Sequence, residues 1–303
     1  MGLLGWFAAL CLAAEPDVRT APSSVFPSTI TARGSTWRYD LFDVRFPSPV
    51  KSRFAANDTV WGILYRPRRP RGRPAAVLLL PVMAAPNAWI EERFALALAS
   101  EGYTVLQLEL PFQLRRIPGK GILSGQVFLA RRPKPLRANF TQAVLDARRA
   151  LDWLRGSGLV EPSRIAILGI SLGALVGSTT LSVDPRPAGG MLFLGGADFP
   201  SLIANGEMTK DFAFRTGLNI AALKGAFAGL DPIEYREANR GKKVILVNVK
   251  NDLVIPLDNA LKLRDSFPDS TQILLPLGHY TAMLHLLWMP AYASARMREL
   301  LPE

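Results

Sequence analysis

Residues 164–181 read RIAILGISLGALVGSTTL. The first six, RIAILG, form a short unbroken apolar run of the kind a strand shows when both faces of a parallel sheet are covered. The last eleven are small and apolar and suit a helix packed closely on such a sheet. At the joint stands Gly169-Ile170-Ser171-Leu172-Gly173, a G-x-S-x-G pattern. On a sharp strand-to-helix turn the serine backbone is strained and its hydroxyl is presented outward. The flanking residues must be glycine, because a side chain there would collide with strand or helix. The helix N-terminus just beyond favours negative charge developing nearby. A plain turn with glycines for packing uses the same residues, but the position between a buried strand and a small-residue helix favours a nucleophile.

Outward from this joint the pattern repeats. AAVLLLP (75–81), TVLQLEL (104–110), GMLFLG (190–195), KVILVNV (243–249) and QILLPL (272–277) read as further buried strands, preceded by WRYDLFDVRF (37–46) and residues 60–65. Helical periodicity covers 91–100, 139–155, 257–265 and 280–301, the last interrupted at Pro290. In the long helix, Phe140, Val144, Ala147, Leu151 and Leu154 share one stripe. Strands alternating with helices imply an α/β protein with a mostly parallel sheet between two helical layers. Short helical pieces between 199 and 240 read as a small lid insertion, with Phe199, Leu202, Ile203, Phe212, Phe214, Ile220, Leu223 and Phe227 as its apolar surface. Residues 15–36 are a Pro/Ser/Thr-rich leader to a single domain over 37–303, and no internal repeat is found.

The chain begins MGLLGWFAALCLAA, an apolar run too short to span a bilayer, ending in small residues and followed by Glu15, Pro16 and Asp17. Residues 1–14 therefore read as a cleavable secretory signal peptide, and the protein as secreted or periplasmic with no stable membrane anchor. Cleavage would remove Cys11, the single cysteine, and with it any disulfide or cysteine-based site.

A serine hydroxyl is a weak nucleophile without a base, so a histidine is needed, and the chain has two. His279 stands in LPLGHYTAM, on a Gly-preceded loop after the last strand. His285 lies in the apolar TAMLHLLW, where a packed or capping role fits better. The base needs a carboxylate to hold its tautomer. Asp252 and Asp198 both follow strands, in KNDLVIP (250–256) and GMLFLGGAD (190–198). The D-x-x-V/I-P sequence favours Asp252, leaving Asp198 to line the site or cap the inserted helix.

The order Ser171, Asp252, His279 on a strand–elbow–helix frame resembles the α/β-hydrolase fold over about residues 37–301. Within it, the chain is similar to bacterial carboxylesterases of the dienelactone-hydrolase-like and acetyl-xylan-esterase-like groups. In those relatives an early strand ends in His-Gly-x, and x donates an oxyanion-hole N–H. The matching residues here are Pro81-Val82-Met83. Pro81 has no N–H, so the resemblance assigns the donor to Met83, with Val82 second, and the other donor to Leu172. It implies a serine carboxylesterase acting on short- to medium-chain small-molecule esters through an acyl-enzyme, with no metal or cofactor. The alternatives are a serine peptidase of the same fold and a catalytically silent protein that binds polyanions.

Thirty-six Lys and Arg against 25 Asp and Glu give a net charge of +11. The excess is local. Residues 33–73 hold ten basic residues against three acids, residues 110–140 hold seven and no acid, and the remainder is mildly acidic. RPRRPRGRP (66–74) is broken by prolines and reads as a solvated loop, without the interleaved aromatics or recognition helix that nucleic acid would require. The second segment leaves the sheet on the edge that carries Ser171. Arg115 and Arg116 are therefore candidate contacts for an acidic substrate, the competing expectation being that they pair with carboxylates or carbonyls beneath the loop.

Overall fold

The computed structural model describes residues 16–20, 25–70, 72–282, 285 and 288–302, the side chain of Phe212 excepted. The segment read as a signal peptide lies outside the described residues. Nine strands form one sheet: β1 (Thr29–Ser35), β2 (Tyr39–Pro47), β3 (Thr59–Pro67), β4 (Ala76–Leu80), β5 (Thr104–Leu108), β6 (Ile165–Ile170), β7 (Gly189–Phe193), β8 (Lys243–Val249) and β9 (Thr271–Leu275). Their order is β1-β2-β3-β5-β4-β6-β7-β8-β9. The first three strands are antiparallel to their neighbours, and β5, β4, β6, β7, β8 and β9 run parallel.

Successive side chains of a strand face opposite sides, and the two sides here belong to two cores. Val77, Leu79 and Val105 pack with α1 (Trp89–Ser100) and α8 (Met289–Leu300). Leu78, Leu80 and Leu106 pack with α2 (Pro133–Gly156), α3 (Leu172–Val183) and Leu263 of α7 (Leu257–Ser266). Each such side chain contributes about 1.5–3 kcal/mol by leaving water, which explains why the runs from β4 to β8 are apolar at nearly every position. The architecture is the expected three-layer α/β arrangement.

Three boundaries differ from the sequence reading. β1 lies inside the stretch taken as leader. Its residues are all exposed and it joins the sheet by backbone pairing with β2, so no apolar alternation marks it. α2 begins at Pro133, six residues before the expected start at Asn139, because Pro133 and Pro135 occupy a first turn in which missing N–H groups cost nothing. The closing helix is not interrupted at Pro290 but starts beside it, with the proline in its first turn.

Between β7 and β8 the chain makes α4 (Phe199–Asn205), α5 (Lys210–Thr216) and α6 (Ile220–Phe227), the expected insertion. Phe199, Leu202, Ile203, Leu223 and Phe227 are buried, whereas Phe214 and Ile220 face solvent. The register Tyr65↔Val105 of the antiparallel pair β3–β5 sends the end of β3 toward the start of the parallel strands. The Arg/Pro loop after β3 therefore lies at the sheet edge opposite Ser171.

Candidate active site

Ser171 sits between β6 and α3 at φ 52°, ψ −112°, a conformation that non-glycine residues rarely adopt. A Cβ on Gly169 would lie 2.3 Å from the Gly173 carbonyl oxygen, and one on Gly173 would lie 2.1 Å from that of Leu80. Neither position accepts a side chain, so the glycine spacing follows from how tightly α3 is set against β6 and β4. The Ser171 N–H donates to the Phe193 carbonyl at 2.9 Å, holding the turn against β7.

His279 follows β9 on the loop opened by Gly278, whose N–H donates to Thr281 Oγ1 at 2.8 Å. Its Nε2 stands 3.4 Å from Ser171 Oγ, and its Nδ1 2.8 Å from Asp252 Oδ2. A long contact of the first kind is usual before substrate tightens it. Asp252 is buried after β8, and its Oδ1 accepts the N–H groups of Val254 at 2.9 Å and Ile255 at 2.8 Å. The sequence Asp252-Leu-Val-Ile-Pro256 has a mechanical meaning: two following amides fix one carboxylate oxygen, so the other is aimed at the imidazole. His285 is elsewhere, accepting the Trp288 indole N–H at 2.6 Å.

Asp198 does not reach His279. It caps α4 by accepting the Ser201 N–H at 3.3 Å and pairs with Lys262 at 2.8 Å. Of the two roles open to it, the structure shows the cap. Arg115 and Arg116 require a correction: neither lines the cavity at Ser171. Arg116 is fully buried: its Nη2 lies 2.7 Å from Asp146 and also donates to the Asn57 carbonyl, and its Nη1 donates to the Glu109 carbonyl. Arg115 is bound to Glu109 at 2.6 Å and Asp43 at 2.7 Å and lies over the Trp61 ring. Both turn inward, to carboxylates on β2, just after β5 and on α2.

A cavity of about 280 Å³ opens at Ser171 and His279. Val82, Met83, Ala84 and Leu172 line it beside the serine, and its walls are apolar. Phe140 anchors the wall, with the rings of Phe128, Phe199 and Phe227 centred 6.3, 5.2 and 5.5 Å from it. α2, α4, α6 and the basic segment thus share one aromatic cluster.

The expected oxyanion loop is held from two sides by residues that sequence reasoning missed. Glu91 of α1, 1% exposed, accepts the Val82 N–H at 2.9 Å through Oε1, while its Oε2 has no partner among the described residues. Burial pushes this carboxyl above its ordinary pKa. Gly125, at φ 74°, backs the same loop: a Cβ there would lie 2.8 Å from Ala84 N and 3.3 Å from Met83 Cγ. Asp231 was missed as well. Its carboxylate accepts the N–H groups of Asp198 at 3.1 Å, Phe199 at 2.5 Å and Ile233 at 3.2 Å, fixing the start of the insertion. Asp231-Pro232 is a local cap pattern for the turn at Ile233, but nothing local announces its hold on Asp198 and Phe199, or the contacts of Glu91 and Gly125 with the loop after β4.

No family model and no curated protein sequence matches the chain. Solved structures do. An acetyl xylan esterase from Paenibacillus sp. R4 superposes with a TM-score of 0.70 at 16% identity, over 89% of each chain. Acetyl xylan esterase 1 from Thermoanaerobacterium sp. JW/SL YS485 gives 0.65 at 14%, over 90% of each. An acylaminoacyl peptidase from Pyrococcus horikoshii gives 0.67 at 15%, over 88% of this chain but 42% of the peptidase. The fold is the three-layer α/β-hydrolase fold.

Proposed function

We propose that the chain is a serine carboxylesterase acting on esters with short to medium apolar acyl groups. One observation carries the reading: Ser171, His279 and Asp252 stand in hydrogen-bonding sequence at the mouth of an apolar cavity. Ser171 Oγ attacks the ester carbonyl as His279 Nε2 takes its proton, and Asp252 stabilises the imidazolium from the Nδ1 side. The carbonyl oxygen then carries the negative charge. The N–H groups of Leu172 and Met83 are suited to receive it: both residues line the cavity, and neither N–H is spent on another acceptor among the described residues. His279 returns the proton to the leaving alcohol, and water releases the acid by the same steps. The aromatic wall gives the acyl chain an apolar surface to leave water for. That the solved relatives include two acetyl xylan esterases agrees with this chemistry.

Turnover of p-nitrophenyl acetate and butyrate tests the reading, with Ser171→Ala as control. The expected outcome is hydrolysis by the wild type and a loss of at least about 10⁴-fold in kcat for Ser171→Ala. Full activity in the variant would remove Ser171 from the mechanism.

A further inference from the structure

Arg115 and Arg116 turn away from the cavity, but the basic segment meets it farther on. Leu129 and Met208 line two spaces at once: the apolar cavity at Ser171, and an adjoining groove of about 780 Å³. Arg53, Arg131 and Arg132 line that groove together with Gln126, and no aspartate or glutamate does. An adjoining hollow, which shares Arg53 and Arg132, is likewise without a carboxylate.

The three guanidinium groups are not held as others of the two basic segments are. Arg33, Arg66, Arg68, Arg115 and Arg116 each hold a carboxylate. Arg53, Arg131 and Arg132 have none within 4 Å among the described residues, and Arg53 only lies over the Phe54 ring. Like charges gathered round one groove raise its local potential and favour an anion there. Leu129 and Met208 border both spaces, so an alkyl chain that leaves Ser171 and reaches them comes next to the guanidinium forks of the groove, whose planar N–H pairs match a carboxylate.

The geometry points to a substrate that is an ester with an apolar chain ending in a carboxylate, the chain lying in the cavity and the carboxylate in the groove of Arg53, Arg131 and Arg132. This assignment rests on the esterase reading of Ser171 and narrows its substrate class. It also moves the role of anion recognition from Arg115 and Arg116 to residues that face the substrate's far end.

The test compares p-nitrophenyl half-esters of adipic, suberic and sebacic acids with the hexanoate, octanoate and decanoate esters. The readout is the ratio of kcat/KM between the two members of each pair. In the wild type the ratio should favour the carboxylated ester by about tenfold at the best-fitting length. It should fall toward one in Arg131→Gln/Arg132→Gln and recover partly in Arg131→Lys/Arg132→Lys. A wild-type ratio at or below one at every length overturns the assignment, as does a ratio that the glutamine variant leaves unchanged. A binding arm needs no turnover: Ser171→Ala protein is titrated calorimetrically with monomethyl suberate and with methyl octanoate. Selective binding of the half-ester, lost on adding the two glutamines, together with no ester hydrolysis by the wild type, would sink the esterase reading and leave the groove standing. Hydrolysis without preference for a terminal carboxylate would sink the groove alone.

Discussion

Three consecutive residues after β4 decide what the loop proposed to hold the oxyanion can offer. Pro81 has no N–H, the Val82 N–H is taken by Glu91 Oε1 at 2.9 Å, and Met83 is the next free amide. Glu91 thus positions the loop from α1 and leaves Met83 to face the cavity. Glu91→Gln retains a carbonyl oxygen for Val82, whereas Glu91→Ala releases it. The expected outcome is a kcat on p-nitrophenyl butyrate within a few-fold of wild type for Gln, and about 10- to 100-fold lower for Ala with little change in KM. Equal kinetics for Ala and wild type would mean that the loop is set by Gly125 alone. At this scale legibility followed stereochemistry. Ser171 could be read because its turn leaves no room for a Cβ on Gly169 or Gly173, and that exclusion prints a fixed spacing. Asp252 could be preferred over Asp198 because Val254 and Ile255 supply their amides within the same short segment. Glu91 binds Val82, and Asp231 binds Asp198 and Phe199, through contacts that only the folded chain creates; the neighbourhood of Asp231 marks only its cap on Ile233.

The insertion that carries α4, α5 and α6 is closed at its base by Asp231, which ties its end to its start, and that closure titrates. Burial pushes the Asp231 carboxyl up to about 6 from 3.8, against the pull of the amides of Phe199, Ile233 and Asp198. A carboxyl whose folded pKa is raised is favoured by folding in its protonated form. Its contribution is fully present below the unfolded value near 4 and is lost as pH rises through 6, about 2–3 kcal/mol in all. Asp231→Asn has no such titration. Relative to that variant, the wild type should therefore lose stability from pH 4 to 6 and hold a constant difference above pH 7, as followed by thermal midpoints. Parallel curves over the whole range would show that Asp231 does not titrate there. Elements were legible where periodicity or an unbroken apolar run spoke for them, as from β4 to β8. They were missed where the structure recruits residues for other reasons: β1 by edge pairing of an exposed strand, and the start of α2 by prolines that a first turn tolerates.

Charge shows how the whole molecule reinterprets its sequence. The first basic segment places its Arg/Pro loop at the sheet edge opposite Ser171, with Arg66 and Arg68 both on Asp40. The second, residues 110–140, looked uncompensated because it stops just short of the acids that serve it. Glu109 precedes it and binds Arg115, and Asp146 follows it on α2 and binds Arg116. Arg116 and Asp146 are both fully buried, and Ser48 donates its hydroxyl to the same carboxylate at 2.6 Å. Gln142 adds bonds to Ser48 and to the Asn57 carbonyl, so the β2–β3 connection, the basic segment and α2 meet at one polar junction. A buried pair of this kind contributes little net stability over an apolar replacement, but removing one partner strands the other charge. Arg116→Met should therefore lower the unfolding free energy in urea by about 3–5 kcal/mol. The double variant Arg116→Met/Asp146→Leu should recover most of that loss, because no charge remains to be left without a partner. If the double variant were as unstable as the single one, the junction would be held by the carbonyl contacts of Arg116 and not by the ion pair, and the basic segment would owe its path to Asn57 and Glu109 instead of Asp146.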